Sequence, residues 1–320
     1  MTMPNRLQPV AAKQEPNRKI VKLFSTLNKH KYLYLIMFPS VLWYFIYKYL
    51  PMYGVIIGFK DFNFMKGIWG SPWVGLKHFK FLFSFPDFYR IVTNTIIINV
   101  YELLFAFPAA IILALMLNEM KSILFKRSIQ TVVYFPHFLS WVIFGGVIIH
   151  LLGPGEGLVN QIRQLFDLPT IHYMVDSNYF RPIVIISLIL KETGWAAIIY
   201  LAALAGIDPE QYEAAIIDGA NRFHKIIYVT IPGIRNTIII LLILKVGSMM
   251  DFGFEQIYVL YSPAVYDVGD ILPTYIYRMG LLDAKFSLTA AIGLFQSAIG
   301  FFLIWGTNLL AKKYSDVTIW

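Results

Sequence analysis

The sequence predicts an all-α, polytopic membrane protein with six transmembrane helices, and three observations predict it. Hydrophobic residues make up 58% of the 320 and charged residues only 14%. A water-soluble domain carries about 25% charged residues, so there is too little polar surface here to cover a globule. The apolar residues gather into six runs of around 20 residues, and at about 1.5 Å per residue such a run crosses a hydrocarbon layer of about 30 Å. None of the runs has the period-two alternation over about 10 residues that marks an outer-membrane barrel. An ordinary cytosolic enzyme is excluded on the same grounds, and the absence of cysteine excludes a disulfide-stapled secreted scaffold.

The first run, Tyr32–Ile57, follows a basic tail over 1–31 with seven basic residues against Glu15. It is longer than a signal-peptide core and lacks a small-residue cleavage site, so it reads as a retained span. Within the tail, IVKLF at 20–24 fits either a short amphipathic helix on the lipid surface or part of a disordered anchor. The second, third and fourth runs are Ile91–Leu117, Ile129–Leu152 and Pro182–Leu204. The fifth, Thr237–Leu260, is interrupted by Lys245, Asp251 and Glu255, and GSMMD beside Lys245 reads as a locally irregular helix. The sixth is Phe286–Leu310. A membrane domain over 32–311 and a short tail over 312–320 follow.

Charge sorts along the chain and sets the orientation. The side holding both tails and the second-to-third and fourth-to-fifth connections has 15 basic and 7 acidic residues. The other side has 9 basic and 10 acidic, so the positive-inside rule puts both termini in the cytoplasm. The net charge of +8 is therefore topology and not a nucleic-acid footprint. On the outer side, Gly58–Tyr89 is rich in Gly, Pro and aromatics and reads as a structured cap at headgroup level, open to docking a protein or serving as an interfacial belt.

The connection over 206–235 is longer than a link between spans needs. Asp208 is a good N-cap with Pro209 in the first turn. Tyr212, Ala215, Ile216, Ala220 and Phe223 recur at helical spacing on one apolar face. Gly219 interrupts or bends the helix and permits close approach of a neighbouring backbone, and Pro232 ends the element. The product is a two-part helical projection on the cytoplasmic face, shaped to fit a partner.

Residues 213–232, EAAIIDGANRFHKIIYVTIP, resemble the EAA coupling motif of binding-protein-dependent ABC importer permeases. Glu213, Ala214, Ala215, Gly219 and Pro232 match, and Asp218-Gly219-Ala220 is the form usual in sugar permeases. Ile226 and Ile231 depart from the common Phe and Leu. PMYGVIIGFKDFN (51–63), GSPWVGLKHFKFLF (70–83), FPAAIILALMLNE (107–119) and YFPHFLSWVI (134–143) extend the resemblance to the LplB-type polysaccharide and oligosaccharide permeases, a branch of the maltose-permease class. The resemblance implies a type I ABC importer permease fold in a bacterial cytoplasmic membrane. It implies a second homologous permease, two cytoplasmic ATPase subunits, an extracytoplasmic solute-binding protein and an oligosaccharide substrate. ATP and magnesium would sit on the ATPases and no cofactor on this chain, which has no GxxxxGK[ST] phosphate loop. Glu213 to Pro232 would be the coupling segment, with Arg222 and Lys225 either pairing with carboxylates across the joint or facing solvent or lipid phosphate.

Charged and polar residues inside spans are costly unless paired or hydrated. Lys191 and Glu192 adjoin within the fourth span, followed by Trp195, either on the transport path or as a structural interhelical pair. Asn94, Asn99 and Glu102 are spaced for a shared polar face in the second, and Lys245 lies in the fifth. A sugar path needs polar groups for hydroxyls and aromatic faces for rings, and Lys191 and Lys245 also suit a uronate. His137 reads as a packed interfacial histidine. The six histidines form no HxxH or HExxH pattern and no catalytic constellation is assembled, so neither a metal nor an enzyme is expected. The alternative function is an ion-coupled secondary transporter using Glu102, Lys191 and Glu192 directly; no internal repeat of the kind such carriers carry is visible.

Overall fold

The computed structural model describes residues 29–251 and 253–314. The IVKLF segment and the end of the C-terminal tail lie outside the described residues. Among the described residues the regular structure is helical, apart from one isolated bridge between Lys60 and Trp73. Four helices are long and apolar enough to cross a membrane, and two bent pairs make six if each pair is one crossing.

Helix α1 (Lys31–Tyr44) runs on through Phe45–Tyr49 and Leu50–Met52, and none of its residues is buried. Residues from Ile56 onward form a separate compact unit. It contains α2 (Lys77–Ser84), α3 (Pro86–Tyr101), α4 (Phe107–Asn118), α5 (Ile123–Tyr134) and α6 (Trp141–Leu151). There follow α7 (Ser177–Ala205), α8 (Pro209–Ile217), α9 (Arg222–Lys225), α10 (Arg235–Gly247), α11 (Phe254–Leu260), α12 (Leu272–Tyr277) and α13 (Phe286–Tyr314).

Three prolines shape these helices in the same way. A wide, π-type turn occupies Phe45–Tyr49 before Pro51, Glu102–Ala106 before Pro108, and Ile226–Thr230 before Pro232. Proline has no N–H for the carbonyl four residues back, and its ring crowds that carbonyl. Widening the preceding turn by one residue relieves the conflict without breaking the helix. The second span thus stays continuous as α3, the turn and α4, over Pro86–Asn118.

Two runs expected to be single spans are broken. Residues 129–152 form no straight helix: α5 and α6 meet at 103°. Pro136 stands in the tight turn Phe135–Phe138, Leu139 is extended, and Ser140 caps α6 by accepting from the Ile143 N–H at 3.3 Å. Residues 237–260 divide at 248–253 into α10 and α11. Gly253 has φ +89, a conformation that only glycine adopts readily, and it starts α11.

Helix α7 is the axis of the bundle, packed most extensively on α4 and α5. A Cβ on Gly194 would stand 2.0 Å from the Val133 carbonyl oxygen, so the α5 and α7 backbones touch there. Near the 206–235 connection, Ala110, Ala114, Ala197, Tyr200, Leu204 and Ile234 form one apolar layer. At the opposite end, Phe180 and Val184 pack with Ile98, Ile257, Leu260 and Ile271. Leu82, Phe88 and Ile91 pack there with Leu272, Leu288 and Ile292. The functional groups lie between these layers.

Candidate functional site

Glu102 is the central residue of the 33-residue span Pro86–Asn118, and Lys191 is the central residue of the 29-residue span Ser177–Ala205. Lys245 lies ten residues past Arg235, about 15 Å along α10. Glu102 and Lys191 therefore stand midway along helices long enough to cross, and its contact with Glu102 brings Lys245 to the same level, where an ion must find a partner. Glu102 opens the wide turn before Pro108, and its carboxylate meets Lys245 Nζ at 2.5 Å. Its side chain is 6% exposed against 21% for Lys245.

A second cluster gathers at the α5–α6 corner. Glu192 Oε2 lies 2.7 Å from His137 Nδ1, and Glu192 Oε1 lies 3.2 Å from Lys191 Nζ. Lys191 Nζ also donates to the His137 carbonyl at 2.9 Å and sits 5.2 Å from the Trp141 ring centre. The imidazole stacks flat on Trp195, with ring centres 4.5 Å apart. Lys191 is thereby enclosed by its own neighbours.

The two clusters border one cavity of about 380 Å³. Glu102, Lys245 and Glu192 supply its charged groups, Trp141 and Trp195 its large aromatic faces, and Thr193 and Tyr200 its hydroxyls. Thr193 Oγ1 is buried without a hydrogen-bond partner among the described residues. Lys191 is not on the wall. The arrangement offers flat apolar faces and a few fixed polar groups, which suits a ring bearing hydroxyls.

The remaining span polars are placed elsewhere. Asn99 donates to the Thr95 carbonyl at 2.7 Å, and its buried Oδ1 has no partner among the described residues. Asn94 lies near the far end of the bundle, where it donates to the carbonyls of Asp267 and Asp270 at 3.0 and 3.2 Å and accepts from Arg181 at 2.8 Å. The expected polar face is therefore shared by burial but not by partners. His137 and Trp141 were not singled out for the site by the sequence. The available signal was Pro136 before His137 and the capping Ser140 after it, which mark a corner in an otherwise apolar run.

In the 206–235 connection, Asp208 caps α8 by accepting from the Glu210 N–H at 3.0 Å, and Asn221 caps α9 by accepting from the His224 N–H at 2.9 Å. Gly219 stands between them at φ +79 with nothing within 4 Å of an added Cβ. The glycine serves the backbone turn, and the close approach expected there is not made within this chain. Tyr212 and Thr230 join the two halves through their hydroxyls at 3.1 Å. Ile216, Ile217, Phe223 and Tyr228 are exposed, and Glu213, Ala214 and Asp218 face out beside them. Arg222 and Lys225 enter no ion pair among the described residues. From this segment the chain turns by 60° directly into α10 and so to Lys245.

The model of a family described as "Binding-protein-dependent transport system inner membrane component" matches residues 106–316. The chain belongs to this family. It is an inner-membrane transport subunit with the type I importer permease fold, and the matched stretch of this permease holds the capped segment, the cluster of His137, Lys191 and Glu192, and Lys245, with Glu102 just before it. Protein LplB of Bacillus subtilis (strain 168) is 45% identical over 298 residues, covering 93% of this permease and 94% of that protein. The polygalacturonan/rhamnogalacturonan transport system permease protein YteP of the same organism is 41% identical, covering 96% and 95%. The permease also resembles a chain in the crystal structure of a bacterial alginate ABC transporter in complex with alginate pentasaccharide-bound periplasmic protein. The TM-score is 0.87 at 35% identity, with 93% of this chain and 100% of that chain covered.

Proposed function

We propose that this permease forms the translocation path of an ATP-driven importer for oligosaccharides or polysaccharide fragments, uronate-containing ones included. The observation that carries the reading is the mid-span cavity, walled by Trp141 and Trp195 with Thr193, Tyr200, Glu102, Glu192 and Lys245 around it. Aromatic faces cover the apolar faces of a sugar ring, and the fixed polar groups take its hydroxyls. The likeness to YteP, a polygalacturonan/rhamnogalacturonan transport system permease protein, and to the alginate ABC transporter supports acidic polysaccharide as the substrate class.

In this reading a second homologous permease completes the path. An extracytoplasmic solute-binding protein delivers the sugar, two cytoplasmic ATPases bind ATP and magnesium, and this chain hydrolyses nothing. Both termini and the 206–235 connection face the cytoplasm. Glu213, Ala214, Ala215, Asp218, Gly219, Ala220, Arg222 and Pro232 belong to the segment that rests on an ATPase. Closure of the ATPases moves that segment, and its continuation into α10 carries the movement to Lys245 and the cavity wall.

The test is uptake of an oligogalacturonate by proteoliposomes containing the purified complex and its binding protein. ATP-dependent uptake is expected. Uptake that survives loss of the ATPase but collapses with the proton gradient would overturn the importer reading in favour of an ion-coupled carrier.

A further inference from the structure

Two lysines lie at the level of the span midpoints, and the structure separates them. Lys191 is 5% exposed, holds the His137 carbonyl and Glu192, and is covered by Trp141. Lys245 is on the cavity wall with 21% of its side chain exposed, and it is engaged with Glu102 at 2.5 Å. Glu102 is the more deeply buried partner, held at the midpoint of its span by the wide turn before Pro108.

We infer that Lys245 is the specificity-determining residue for acidic sugars, with Glu102 as a resident counter-ion that the sugar's carboxylate replaces on the ammonium. The inference rests on the importer reading above and assigns the cation within it. The physical reason is the cost of charge in a low-dielectric site. Without sugar, an isolated lysine at this depth would be destabilising, and Glu102 neutralises it. A uronate entering the cavity must shed water from its own carboxylate, and an ammonium already in place compensates that loss, while the released Glu102 takes up a proton from the cavity water so that no second bare charge is left behind. A neutral sugar gains nothing from the exchange, so the pair discriminates by charge without closing the path to either class.

The counter-ion role makes two substitutions act in opposite directions, which a purely structural ion pair does not do. Glu102→Gln removes the competitor and leaves the ammonium. Glu102→Gln combined with Lys245→Gln removes both charges, so no buried ion is left unpaired and the fold is spared the defect that Lys245→Gln alone would create. Binding of trigalacturonate and of its methyl ester to the full complex in nanodiscs is measured by calorimetry for each, with assembly checked by co-elution. The double variant is expected to weaken the acid sugar about tenfold more than it weakens the ester, the scale of one charge-assisted hydrogen bond. Glu102→Gln is expected to tighten the acid sugar. The inference is overturned if both variants weaken the acid sugar alike, if neither changes it, or if wild type binds the acid no better than the ester. Wild-type proteoliposomes that fail to import trigalacturonate overturn the functional reading together with this one. Import that is normal but indifferent to Lys245 overturns this one alone.

Discussion

Replacing Gly194 by alanine tests how the α5–α7 contact holds the charged corner in position. The added Cβ would stand 2.0 Å from the Val133 oxygen and 2.6 Å from its carbonyl carbon. Both are backbone atoms, so no side chain can swing aside. Contacts under 3.0 Å are not tolerated, so the helices must separate by about 1 Å, and forced overpacking of this kind costs about 1–3 kcal/mol. His137 is four residues from Val133, and its carbonyl accepts from Lys191 at 2.9 Å. The same displacement stretches that bond beyond hydrogen-bond range and forfeits about 1.5–3 kcal/mol for a charged donor. Alanine's better helix propensity returns only about 1 kcal/mol. The net expectation is destabilisation of about 1.5–5 kcal/mol by thermal or denaturant unfolding of the purified chain in detergent. Gly293→Ala in α13 is the control, because nothing lies within 4 Å of its added Cβ. Equal stability of the two variants would refute the argument that backbone contact at Gly194 sets the corner.

Three other expectations concern separate parts of the molecule. Gly219→Ala forces a side chain into φ +79 at a local cost of about 1 kcal/mol; ATPase activity should continue while ATP-driven uptake falls, and full coupling in Gly219→Pro would refute the role of the bend. Asp270 is 1% exposed and takes Arg278 at 2.5 Å, with that guanidinium 4.4 Å from the Tyr266 ring centre. Arg278→Ala leaves a buried carboxylate unpaired and should cost about 3–5 kcal/mol in unfolding measurements, whereas a loss under about 1 kcal/mol would mean that Asp270 relaxes to solvent. Outside the spans, hydrogen bonding and the charge of Lys77 hold the Asp61 carboxyl below its ordinary value of 3.8. A depressed acid stabilises above its unfolded value and loses that contribution as pH falls through its folded value. Hydrogen exchange of the 60–77 segment should therefore accelerate below about pH 4, and Asp61→Asn should remove that dependence.

Much of this architecture was legible in local sequence. The long apolar runs, the cap at Asp208 and the turn at Gly219 are set by residues within a few positions of one another. The corner at 135–140 was missed because hydropathy averages over a window and passes across Pro136. Asp251 and Glu255 marked the fifth run as weak, but its division at Gly253 depended on a backbone angle that composition does not carry. Among the polar residues, the need for partners was readable while their identity was not.

Sequence by itself determined that the chain lies in lipid, roughly where it crosses, and which segment resembles a coupling element, because hydrophobicity, capping and proline chemistry act over short stretches. Only the tertiary structure decided that Glu102 meets Lys245, that His137 meets Glu192, and that Lys191 is enclosed while Lys245 reaches the cavity. Those pairs join residues far apart in the chain. A buried charge specifies only that a partner must exist, and helix packing chooses which one comes within reach.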